Sequence, residues 1–164
     1  MKFYRPHILP LGRLQEKTTA AALAPESYAV VAFSSYPERL SAAAGGHLHF
    51  LALPVDDIPT RTGNYFQEKH AASIRDFLLS LPGEVGSLFF CCDSGESRSS
   101  ACAAAVLRAM GVSDAVVWEN PKYHPNRLVY AETCRAFGIR VTEQEIAARE
   151  AANEEAFRRA VIRH

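Results

Sequence analysis

The stretch Leu88-Phe89-Phe90-Cys91-Cys92-Asp93-Ser94-Gly95-Glu96-Ser97-Arg98-Ser99-Ser100-Ala101 passes from strand to loop to helix. Leu88 to Cys91 is a short apolar run suited to a buried strand, and a small, polar segment follows around Gly95. From Arg98 the chain continues Ser-Ser-Ala-Cys-Ala-Ala-Ala-Val-Leu-Arg-Ala-Met, mostly good helix formers, with Gly111 placed to end the helix. A thiol, Cys92, therefore stands at a strand end and faces the start of a helix.

That position has chemical consequences. The free N–H groups of a loop entering a helix, together with the helix dipole, favour negative charge there. A thiol of ordinary pKa about 8.5 falls to roughly 3.5–7.5 in such a setting, and the thiolate is the nucleophile. Arg98, five residues on, can fold back over the loop and present a planar fork of donors to a tetrahedral oxyanion. One loop thus offers both an attacking sulfur and an anion cradle. The plainer reading is that Cys92 is a buried core thiol, which leaves Arg98 and Gly95 without a reason.

The run Cys92-Asp93-Ser94-Gly95-Glu96-Ser97-Arg98-Ser99 resembles the signature loop of the cysteine-dependent protein tyrosine phosphatases, and its Gly-x-Ser-Arg-Ser portion resembles the dual-specificity branch. The resemblance implies Cys92 as nucleophile and Arg98 as oxyanion clamp. It implies a phosphate-binding loop of Asp93, Ser94, Gly95, Glu96, Ser97 and Arg98, with the Ser99 hydroxyl stabilising the thiolate. The family usually has His before the nucleophile, whereas this chain has Cys91. Cys91 is either a small buried side chain or, in competition with Cys102, a thiol that captures oxidised Cys92.

Working upstream, Phe66 to Leu81 carries Ala71, Ile74, Phe77, Leu78 and Leu81 at helical spacing, and Pro82-Gly83 ends it. Before it, His47 to Leu53 reads as a strand that runs into Pro54-Val55-Asp56-Asp57-Ile58-Pro59. Paired aspartates in a loop are ordinarily turn residues that cap backbone N–H groups. Dual-specificity phosphatases place their general acid in a similar Pro-apolar-acidic-Asp pattern, which implies Asp57 as the acid, with Asp56 the alternative. Tyr28-Ala29-Val30-Val31-Ala32-Phe33 is a continuous apolar run of the kind buried in a parallel sheet. Ile8 to Leu11 is a short strand candidate, Leu14 to Leu23 a helix, and Glu38 to Ala44 one or two helical turns.

Downstream, Ala115-Val116-Val117-Trp118 is a short strand candidate. Pro125-Asn126 before Arg127 resembles the segment that opens a late helix near the family's signature loop, making His124 and Asn126 auxiliary candidates beside their simpler roles as cap or surface residues. Thr142-Glu143-Gln144-Glu145 has a capping-box pattern and opens a helical tail over residues 142–164, whose apolar face of Ile146, Phe157 and Val161 is sparse.

Strands alternating with helical segments predict an α/β domain with a mainly parallel central sheet flanked by helices, over residues 1–164 as a single phosphatase-like unit. The resemblance covers about residues 28–138. With 164 residues, 48% hydrophobic composition and 18 basic against 18 acidic residues, the chain has formal net charge zero, which argues against nucleic-acid or anionic-membrane binding through bulk charge. The chain shows no signal-peptide pattern and no membrane-length apolar run, so the expectation is a cytoplasmic protein. Four cysteines, two of them adjacent, make neither a spaced disulfide framework nor a paired metal site, and no metal or other cofactor is expected.

The function implied is phosphomonoester hydrolysis through a phosphocysteine. Negative charge at Asp93 and Glu96 favours a phosphorylated protein or small phosphomonoester over a polyanionic lipid headgroup. A phosphate-binding module without turnover and a rhodanese-type sulfurtransferase are the alternatives from other classes.

Overall fold

The apolar run Tyr28–Phe33 (β2) lies inside the sheet with every residue buried, as a strand covered on both faces requires. The structure, a computed structural model, describes residues 1–163. β2 runs between Phe50–Leu53 (β3) and Ser87–Cys92 (β4), and β4 pairs in turn with Arg5–Pro10 (β1). The four-stranded sheet has the order β1-β4-β2-β3 and is parallel throughout, in agreement with the expected α/β class.

Alternation along β4 divides the core. Leu88, Phe90 and Cys92 face a large cluster with Ile74, Leu78, Trp118 and Tyr130, while Phe89 and Cys91 face a smaller one with Leu14, Tyr28 and Leu40. Leu14–Ala20 (α1) and Pro37–Ala44 (α2) cover the smaller cluster; Glu68–Leu79 (α3), Arg98–Ala109 (α4) and Arg127–Ala136 (α6) cover the larger. Fully burying a side chain such as Ile74, Leu78 or Phe90 contributes about 1.5–3 kcal/mol, so the larger layer supplies most of the apolar stabilisation. All of α4 from Arg98 to Leu107 is buried, and its alanines let it lie close against the sheet.

Two sequence expectations are corrected. Ala115–Trp118 is not a strand but a short helix (α5), with Trp118 N–H donating to the Asp114 carbonyl at 3.2 Å. The Asp114 carboxylate just before it is gripped by the Tyr130 hydroxyl at 2.6 Å and by Arg149 at 2.7 Å, which ties the segment to helices rather than to the sheet. The strand predicted over His47–Leu53 begins only at Phe50, since His47 turns aside to pair its Nδ1 with the Tyr28 hydroxyl at 2.6 Å.

Glu143–Ile162 (α7) starts as predicted with a reciprocal capping box between Thr142 and Glu145. Ile146 and Asn153 are buried, the latter donating to the Trp118 and Tyr123 carbonyls, whereas Phe157 and Val161 stay exposed. The first half of the tail therefore packs on the domain. No helix among the described residues is long and apolar enough to cross a membrane.

Candidate active site

A parallel sheet gathers the loops that follow its strands along one edge, the usual place for a site in such folds. Here all four strand ends meet around the Cys92 loop. Gly95 has φ +73° and presses on the end of β1: a Cβ there would lie 2.5 Å from the Pro10 nitrogen, so only glycine fits. Ser34 and Ser35, just beyond β2, contact Asp93, and the Val55 carbonyl, just beyond β3, accepts from Arg98.

Cys92 ends β4 with its side chain fully covered at the base of the loop. Its Sγ lies 3.0 Å from Ser99 Oγ and accepts from the Gly95 N–H at 3.2 Å. Burial pushes the thiol up. The Ser99 hydroxyl, the backbone N–H groups of Ser99 and Ser97 and the Arg98 charge outweigh it, and the net effect holds Cys92 below the ordinary thiol range. The other thiols go the opposite way: burial pushes up Cys91 and Cys102, and Cys134 to about 11. Cys91 packs in the smaller cluster on the opposite face of the sheet from Cys92, so it fills a core position there, while Cys102 shares the larger cluster with Cys92.

The pH dependence follows in sign. A depressed thiol stays ionised as the pH falls below about 8.5, so Cys92 alkylation should plateau under the pH at which a free thiol does, and decline only below its own pKa. Iodoacetate, an anion, should outpace iodoacetamide because the loop attracts negative charge, while Cys91, Cys102 and Cys134 stay unlabelled in the native protein. Mass mapping of the label against pH checks this; a Cys92 rate still rising through about pH 9 counts against the depressed thiolate.

Arg98 is almost completely buried and its fork is partly committed: Nη1 donates to the Val55 carbonyl at 2.7 Å and Nη2 to Asp93 Oδ2 at 3.1 Å. Nε is buried with no partner among the described residues. Because Nη2 carries a second hydrogen, Nε and Nη2 together can take an oxyanion side-on. Asp93 is held in turn by the Ser34 hydroxyl at 2.8 Å, the Ser35 N–H at 3.2 Å and an ion pair with Arg39. Burial raises its carboxyl, but Ser34, Ser35 and Arg98 together hold it below its usual range. The Asp93 carboxylate thus anchors Arg98 and is not the free negative charge at the mouth that the sequence suggested. Glu96 and Ser94 are exposed on the loop.

The loop that follows β3 meets the cysteine loop through Asp57. Its Oδ1 accepts from Ser97 Oγ at 2.8 Å and from Asn126 Nδ2 at 2.8 Å. Among the described residues the Asp56 carboxylate makes no such contact; its backbone is used instead, the N–H donating to the Asn64 carbonyl at 2.9 Å and the carbonyl accepting from the Ile58 N–H at 3.0 Å. Asn126 serves both roles weighed from sequence: Oδ1 caps α6 by accepting from the Leu128 and Val129 N–H groups, while Nδ2 holds Asp57 and the Ile58 carbonyl. His124 acts through its backbone, donating N–H to the Glu96 carbonyl at 3.0 Å, and its ring packs edge-on against Phe157.

Cys92, Ser97, Arg98, Ser99, Asp57 and Asn126 are therefore brought together, joined by Ser34, Ser35 and Arg39, which the sequence reading did not single out. Neither the comparison with protein-family models nor that with curated proteins finds a match, so the geometry carries the functional reading.

Proposed function

We propose that the protein is a phosphatase that hydrolyses phosphomonoesters, either phosphorylated side chains of proteins or small phosphomonoesters, through a phosphocysteine. The observation that carries this reading is the hydrogen bond from Ser97 in the cysteine loop to the Asp57 carboxylate of a separate loop. A loop built only to bind phosphate, or to carry sulfur, has no use for an acid held at its rim.

In the first step the Cys92 thiolate attacks phosphorus in line. An S–P bond forms, the P–O ester bond breaks, and the departing oxygen takes the Asp57 proton. The loop N–H groups and the free Arg98 donors hold the non-bridging oxygens as charge redistributes. In the second step water attacks phosphorus and gives a proton to Asp57, and the S–P bond breaks to release phosphate. The Ser99 hydroxyl, 3.0 Å from the sulfur, stabilises the returning thiolate. The reaction as written calls on no metal.

Asp57→Asn should lower kcat for phenyl phosphate by about 10²–10⁴-fold, the usual size of a general-acid contribution. Asp56→Asn should change it little, because that side chain does not touch the cysteine loop. Steady-state kinetics of the two variants decides the assignment; a larger loss in Asp56→Asn reverses it.

A further inference from the structure

Outside the Cys92 cradle, the described part of the molecule places one more buried carboxylate against the acid loop. Glu132 lies on α6 with its side chain only 10% exposed, and a single oxygen, Oε1, accepts from both Arg61 Nη2 at 3.1 Å and Arg135 Nη1 at 2.8 Å. Arg61 belongs to the loop that carries Asp57, and its side chain is 69% exposed. Among the described residues, the loop's outer half, 59–64, hydrogen-bonds only within the loop, with Arg61 to Glu132 as the exception. Clefts of about 410 Å³ and 180 Å³ lie along Arg61, bounded by Glu68 and Arg75 on α3 in one and by Arg127 and Glu143 in the other.

We infer that Glu132 is a positioning residue for Asp57, acting through Arg61. The inference rests on the proposed role of Asp57 as the acid. Helix α6 holds the acid loop at two points: at its start, where Asn126 takes Asp57 and the Ile58 carbonyl, and six residues later, roughly 9 Å along the axis, where Glu132 takes Arg61. Ser97 and Asn126 both hold the loop at Asp57 and Arg98 holds it at Val55, so among the described residues its outer half, 59–64, is tied to α6 through Arg61 alone, and that tie fixes the direction in which the loop leaves Asp57. Displacement of a reacting group by about 1 Å can cost on the order of 10²-fold, so the second anchor matters to proton transfer without touching substrate. Exposed ion pairs contribute little to stability; removing Arg61 matters here because it leaves a buried carboxylate with one fewer partner.

The test compares wild type, Glu132→Gln, Arg61→Ala and Arg61→Lys on two esters. Phenyl phosphate needs its leaving oxygen protonated, whereas the nitro group of p-nitrophenyl phosphate stabilises the departing phenolate. Glu132→Gln and Arg61→Ala should lose about 10-fold in kcat on phenyl phosphate and less than about 2-fold on p-nitrophenyl phosphate, and Arg61→Lys should recover most of the loss. Because Arg61 is exposed, its variants report even if Glu132→Gln folds poorly. Hydrogen exchange of residues 57–64 should be faster in Glu132→Gln and Arg61→Ala than in wild type. Equal losses on both esters, or wild-type kinetics in Arg61→Ala, overturn the inference. A wild-type protein that hydrolyses neither ester overturns the phosphatase reading instead, and the exchange rates alone then judge whether Glu132 holds the loop.

Discussion

Cys92→Ser is expected to abolish hydrolysis of every aryl phosphate, with kcat lower by about 10⁴-fold or more, the scale on which loss of a covalent nucleophile acts. The serine hydroxyl fits the space of the thiol, and the Gly95 N–H and Ser99 hydroxyl that lie 3.2 and 3.0 Å from the sulfur have an oxygen to meet in its place. What changes is ionisation: the surroundings that hold a thiol below its ordinary range cannot bring an alkanol into ionisation near neutral pH. The anion cradle itself is untouched. The variant should therefore still bind phosphate or vanadate, and acid quenching of wild type during turnover should trap a phosphorylated peptide containing Cys92 that the variant lacks. Binding without a trapped phosphopeptide in wild type assigns the protein to the phosphate-binding class; turnover in Cys92→Ser near the wild-type rate removes Cys92 from the mechanism.

The parts of this site that lie close in sequence were legible before the structure. The passage from an apolar run to Gly95 to an alanine-rich helix fixes a strand, a turn with positive φ and a helix start within a few residues, and each signal is local. The buried run of β2 was equally plain, because a strand covered on both faces has no polar alternation to obscure it. Ala115–Trp118 misled for the same reason: a short apolar run fits a strand or a helical turn, and the Tyr130 and Arg149 contacts to Asp114 that settle it come from distant helices. Ser34 and Ser35 were within reach of inference. They follow β2, and residues just beyond neighbouring parallel strands converge, so once β2 is placed beside β4 they fall next to Asp93. Arg39 and the Arg61–Glu132 pair had no such signal, since ion pairs across 54 or 71 residues follow only from the packed fold.

Arg98→Lys is the second large loss expected, and it separates charge from geometry. The lysine keeps a cation beside the thiolate but presents no rigid fork, so it cannot hold the Val55 carbonyl and Asp93 while offering paired donors to an oxyanion. Removing one oxyanion donor from a preorganised site costs about 10²–10³-fold, and kcat/KM should fall by at least that much. Arg98→Ala should reach the detection limit. Part of any loss is structural: without the guanidinium the Val55 carbonyl lacks its charged partner, and an unsatisfied buried acceptor costs about 1–3 kcal/mol. Asp93 keeps Ser34, Ser35 and Arg39, so the loop's other anchors survive and the variants should fold with a lowered melting temperature. Kinetics well below that temperature isolates the catalytic component. Phosphate protection gives a reading independent of turnover. Inorganic phosphate should shield Cys92 from iodoacetate in wild type and much less in Arg98→Lys, because the buried Nε, without a partner among the described residues, is the donor the anion would take. Equal protection in both proteins, with wild-type kcat/KM in the lysine variant, excludes Arg98 as the clamp.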